Sequence, residues 1–85
     1  MNTKRIDNMN NLEKEDIIYD NREEFRGIKV EVRKVHKNDG ITFEIISTNG
    51  KDVPGANVGD IHFFEKKLIE KHFIKEVKNN SIKKL

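Results

Sequence analysis

The stretch that decides the fold is Ile28-Lys29-Val30-Glu31-Val32-Arg33-Lys34-Val35-His36-Lys37-Asn38-Asp39-Gly40-Ile41-Thr42-Phe43-Glu44-Ile45. Ile28, Val30 and Val32 alternate with Lys29, Glu31 and Arg33, the period of two that puts apolar side chains on one face of a strand. Val35 falls out of phase and predicts a bulge or strand end near Lys34. Lys37-Asn38-Asp39-Gly40 reads as a tight turn in which Gly40 takes the positive φ. Ile41, Phe43 and Ile45 then alternate with Thr42 and Glu44, so the whole stretch is an antiparallel hairpin with one apolar face.

Downstream, Asn49-Gly50 is a second hairpin-type turn. It leads into a short extended segment at Lys51–Val53, stopped by Pro54-Gly55. Gly59-Asp60 turns the chain before a further strand at Ile61–Phe64. From Glu65 to Lys78 the spacing of Leu68, Ile69, Phe73 and Val77, widened by Ile74, predicts a helix that packs on the hairpin's inner face. Asn79-Asn80-Ser81 ends it and leaves a basic tail.

Upstream, residues 1–11 are poor in apolar side chains and read as a flexible tail. Leu12 to Tyr19 fits a short helix or a brief strand at Ile17–Tyr19, and Glu13, Glu15 and Asp16 in a first turn favour the helix. Gly27 stops or turns the short stretch Glu23–Arg26. The expected architecture is one α+β domain over residues 12–85. It has a small antiparallel sheet of three to four strands, with a C-terminal helix packed on one face. An SH3-like small barrel with an appended helix is its rival.

The chain has 85 residues, 34% of them hydrophobic and 38% charged, which allows one lean core but is too apolar for a disordered chain. Cysteine is absent, so disulfides, thiolate metal sites and cysteine nucleophiles are excluded and a cytoplasmic location is expected. No apolar run approaches the roughly 18–20 residues of a membrane span, and no apolar stretch follows the basic N-terminus as a signal peptide requires. Abundant Lys, Asn and Ile suggest an AT-rich genome, such as that of a low-GC bacterium or one of its phages.

Catalytic equipment is missing from the pattern. His36, His62 and His72 match no zinc spacing, though His62 with Glu65 and His72 with Glu76 resemble half-sites. Ser47 and Ser81 sit in no nucleophile elbow, and no phosphate-binding Gly-Lys loop occurs. The expectation is a non-enzymatic binding protein with no catalytic residue, metal or cofactor.

Charge indicates the partner. Residues 1–27 sum to −2 and the remainder to +4, giving the net +2. On a helix over 65–78, Lys67, Lys71, Lys75 and Lys78 fall on one stripe. Lysines at i,i+4 repel one another, so such a stripe points to an anionic partner. With Lys29, Arg33 and Lys34 it would contact nucleic-acid phosphates, RNA ahead of DNA. Phe43, Phe63, Phe64 and Phe73 all fit core positions, which leaves no base-stacking platform. The alternative is an inhibitor or regulator, of phage origin on composition, that binds a host nuclease, toxin or defence enzyme. Its contacts would be the hairpin edge or the segment carrying Glu13, Glu15, Asp16, Tyr19 and Phe25. If that segment is the contact, deleting residues 1–26 removes binding and leaves the rest folded.

Overall fold

In the computed structural model, which describes residues 3–77, the hairpin forms as its alternation requires. Strand β3 (Lys29–His36) pairs antiparallel with β4 (Gly40–Ser47), with a register irregularity between Val32 and Lys34 where the apolar phase breaks. The turn differs in one detail. Asn38 takes the left-handed conformation (φ 69°), and Gly40 is a strand residue. Asparagine tolerates that region through local side-chain hydrogen bonding. Gly40 answers a different need: a Cβ there would lie 2.1 Å from the Phe64 carbonyl oxygen, so only glycine lets the next strand approach.

The remaining strands are β1 (Thr3–Arg5), β2 (Ile17–Asp20), β5 (Ile61–Glu65) and β6 (Phe73–Glu76). Helix α1 (Lys66–His72) joins β5 to β6. The sheet therefore has six strands in the order β1-β6-β2-β3-β4-β5, with every neighbouring pair antiparallel. The small antiparallel α+β class stands, and the strand count rises from three or four to six. Ile17–Tyr19 is strand rather than helix. Lys51–Val53 forms no strand.

The helix expected over 65–78 stops at His72. Two demands end it. Phe73 is needed in the core, where its ring lies 6.1 Å from that of Phe43 and 5.8 Å from that of Phe64. The extended backbone of Phe73–Lys75 pairs with Ile18–Asp20 of β2, an interaction that depends on a segment more than fifty residues away. The seven-residue α1 is about 10 Å long. In a flat sheet β5 and β6 would lie about 19 Å apart, at 4.8 Å per strand. The sheet must therefore curl for so short a helix to connect them.

Curling encloses one core. Val30, Val32, Ile41, Phe43 and Ile45 project from the hairpin, Ile18 from β2, Phe73 from β6 and Ile69 from α1. Residues 3–11, within the stretch 1–11 expected as a flexible tail, complete it together with Leu12. β1 pairs with β6, and Ile6, Met9 and Leu12 are buried. Asn8 caps the short 3-10 turn at Met9–Asn11 by accepting from the Asn10 N–H at 2.9 Å. The Met9 N–H donates to Glu70 Oε2 at 2.8 Å, which fastens this segment to α1.

On the outer face Tyr19 Oη donates to Glu76 Oε1 at 2.8 Å. Burial, then that hydrogen bond and the charge of Glu76, push the phenol up from 10.0 to about 12. The folded value lies above the unfolded one. The stabilisation is therefore complete below about pH 10 and is lost as pH rises through about 12. Tyr19 is the single tyrosine and tryptophan is absent, so phenolate absorbance reads this group alone. The expected midpoint lies well above that of a free tyrosine and falls in Glu76→Gln; equal midpoints for the two proteins would remove Glu76 as a cause.

Candidate functional site

The structure redistributes the basic residues. Lys67 and Lys71 are exposed on α1. Lys75 belongs to β6 and its Nζ lies 3.3 Å from Asp16 Oδ2. Lys78 lies outside the described residues. A single four-lysine helical stripe therefore does not form, because the helix ends three residues before Lys75. Of the supporting residues, Lys29 places Nζ 5.6 Å from the centre of the Tyr19 ring. Arg33 is held by Glu44 and by Glu31, the latter at 3.7 Å, and the hydrogen bond to Glu44 raises its already high pKa. Lys34 is exposed.

The acidic segment is not a detachable arm. β2 sits between β6 and β3, so residues 1–26 include an interior strand, and deleting them would break the sheet. Glu13 and Glu15 are exposed. Asp16 accepts from the Glu13 N–H at 2.7 Å and pairs with Lys75. Tyr19 faces outward beside Lys29, whereas Phe25 packs against the core. These residues form no continuous contact strip.

One constellation is new. Across the outer face Lys34 of β3 is opposite Thr42 of β4, and Thr42 is opposite Phe63 of β5. Phe63 is 49% exposed. Its ring meets His36 edge-on, with centroids 5.4 Å apart, and reaches over Gly40, where a Cβ would lie 2.8 Å from Cζ. Phe63 also lines an open hollow with Asn38, Asp39, Glu65, Lys66 and Lys67. The Lys66 N–H donates to the Asp39 carbonyl at 2.8 Å, which seats the start of α1 against the β3–β4 turn. The result is an exposed aromatic ring bordered by Lys66 and Lys67 of α1, with Lys34 two strands away across the same face and Lys71 one helical turn further along.

Sequence reasoning placed Phe63 in the core because Ile61-His62-Phe63-Phe64 is compatible with either alternation. The ladder decides it: His62 and Phe64 pair with Phe43 and Ile41 on the inner face, so Ile61 and Phe63 turn out. Gly40 was the available signal, since a glycine in an apolar strand often marks a neighbour's close approach.

A second feature is an apolar pocket of about 210 Å³ between the 22–28 segment and the 53–56 loop. Ile28, Phe43, Ile45 and Phe64 form its apolar walls. Asp20, only 6% exposed, stands at its border and is fully engaged by Arg22. Arg22 donates from its backbone N–H and Nε at 3.0 Å and from Nη2 at 2.7 Å, and its guanidinium lies 4.6 Å from the centre of the Phe25 ring. The Asp20 hydrogen bond raises the Arg22 pKa further.

Among the described residues no three His, Asp or Glu side chains converge as a metal site, and no helix is long and apolar enough to cross a membrane. No protein-family model, curated protein or solved structure matches the chain.

Proposed function

We propose that this chain is a small non-enzymatic binding module that holds single-stranded nucleic acid, RNA ahead of DNA, across the outer face of β3, β4 and β5. The observation that carries the reading is the half-exposed Phe63 ring beside Lys66 and Lys67, with Lys34 two strands away on the same face. Single strands are held by lysines that displace counterions and by aromatic rings on which bases stack. Lys67 and Lys71 keep their place from the sequence reading, and Phe63 supplies the stacking surface which that reading lacked. The strand order supports a finer view of the fold. β2 to β5 form a meander, and β6 returns through a short helix to the free side of β2, as in an SH3-like small barrel, with β1 added outside β6.

The test is a fluorescence titration with short single-stranded RNA, single-stranded DNA and duplexes at several salt concentrations. Phe63→Ala is expected to weaken single-strand binding about tenfold, the size of one lost stacking contact. Lys34→Gln combined with Lys67→Gln is expected to lower the slope of log affinity against log salt by about 1.4, at 0.7 per phosphate contact. Unchanged affinity in Phe63→Ala would overturn the reading.

The protein-binding alternative has a specific observation of its own, the apolar pocket beside Arg22. Its volume of about 210 Å³ suits one leucyl or aromatic side chain from a partner. Ala56→Phe would fill it from within; loss of a protein partner with RNA binding intact would favour that reading.

A further inference from the structure

The two edges of the sheet are unlike. β1 is three residues long and carries Lys4 and Arg5. β5 is Ile61-His62-Phe63-Phe64-Glu65. Among the described residues the exposed large apolar side chains are Val58, Ile61, Phe63 and Val77, and three of these lie on β5 or the loop leading into it. Sheet edges are ordinarily blunted by charge, proline or a bulge. From Ile61 to Phe64 this edge has no Asp, Glu, Lys, Arg or proline, and His62 lies on its inner face.

The ladder also fixes which backbone groups are free. Asp60 directs its carbonyl to the Ile45 N–H, and Lys66 directs its N–H to the Asp39 carbonyl. In an antiparallel ladder the inward-directed groups recur every second residue. Even-numbered residues of β5 are therefore bonded to β4, and the N–H and C=O groups of Ile61, Phe63 and Glu65 point off the sheet.

We propose that β5 pairs antiparallel with β5 of a second copy of this chain, about a two-fold axis through His62. This register joins odd residues to odd residues, as the free groups require. It sets Ile61 opposite Phe63 of the second copy, and Phe63 opposite its Ile61, so that four exposed apolar side chains cover one another laterally. Glu65, the one acid of the strand, falls opposite Gly59 rather than an apolar or like-charged residue. A register centred on Phe63 would oppose Glu65 to Ile61, and one centred on Ile61 would oppose Phe63 to Gly59. Each keeps a single apolar pair, Phe63 with Phe63 or Ile61 with Ile61, where the His62 register makes two. Strand pairing leaves the outer faces of side chains open, so both copies of Phe63 and their lysines would lie on one continuous surface. The contact is small, and a dissociation constant on the order of 10 µM is expected.

Sedimentation equilibrium of the full chain, with no nucleic acid present, tests the pairing from about 1 to 300 µM. The expected result is a rise from one 10.0 kDa chain to two. Ile61→Pro removes a donor that faces away from β4, so the monomer keeps its ladder and the dimer is lost. The absence of cysteine makes the register directly readable. Under mild oxidation His62→Cys is expected to form a covalent dimer, since residues facing across a non-hydrogen-bonded pair lie about 4.5 Å apart at Cα. Phe63→Cys is expected to remain uncrosslinked. A mass of one chain throughout overturns the proposal and leaves the edge to a strand from a different protein. A dimer that survives Ile61→Pro, or one that crosslinks through Phe63→Cys and not His62→Cys, overturns it as well.

Discussion

A chain lacking residues 1–11 is expected not to fold. That segment places Ile6 and Met9 in the core at 4% and 0% exposure, and its β1 pairs with β6 over Thr3–Arg5. Truncating one large buried side chain to alanine costs about 2–5 kcal/mol. Removing two of them, with a strand, therefore costs roughly 5 kcal/mol or more. A chain of this length has about 4–13 kcal/mol in total. The deletion would also uncover Ile69, which is fully buried, and take from Glu70 the Met9 N–H it accepts. Amide proton dispersion and a thermal melt check this. A truncated chain that melts cooperatively within a few degrees of the intact one would show that the segment lies on a core complete without it.

Gly40→Ala is expected to be the most damaging single methyl addition among the glycines. The new Cβ would meet the Phe64 carbonyl oxygen at 2.1 Å, the Phe63 Cζ at 2.8 Å and the Glu65 Cα at 3.0 Å. The ring tip can swing away, but the carbonyl belongs to the β4–β5 ladder and cannot retreat without breaking it. The expected loss is about 3 kcal/mol, at the upper end for overpacking. This corresponds to a fall of roughly 2 M in the urea midpoint for a small domain. Gly50→Ala is the control, since nothing lies within 4 Å of its Cβ position and only its positive φ opposes the change. A Gly40→Ala chain as stable as the Gly50→Ala chain would show that β5 moves outward at little cost. The same variant should disturb the Phe63 surface, so its nucleic-acid affinity is expected to fall with its stability.

These residues show what was legible in the sequence and why. The hairpin was readable because β3 and β4 are close in sequence and each carries its own alternation. β6 was not, because Phe73–Glu76 continues the helical spacing of Leu68 and Ile69 and its strand partners are distant. The N-terminal segment hid for a related reason. Ile6, Met9 and Leu12 are single apolar residues in a polar stretch, and only tertiary contact reveals that all three point inward. At the candidate site the lysines were visible by type, but their grouping depends on the ladder that turns Phe63 outward and on the early end of α1. Lys75 was lost from the group because a strand position brings it to Asp16.

The place of β6 between β1 and β2 has a consequence for how the protein is made. Translation delivers the chain from the N-terminus, at about 5–20 residues per second. Thr3 finds its partner only when Glu76 has emerged, whereas Ile18 meets Val30 early and waits for Lys75 only on its other side. The β2–β3–β4 meander can pair on the ribosome, whereas β1 waits for β6 to slide between it and β2. Long-range closure of this kind slows folding to milliseconds or seconds. Closure of the sheet thus has a wedge as its final step, and a ribosome stalled before residue 73 would hold a nascent chain whose Thr3–Arg5 segment has no partner strand and stays open to proteases and chaperones.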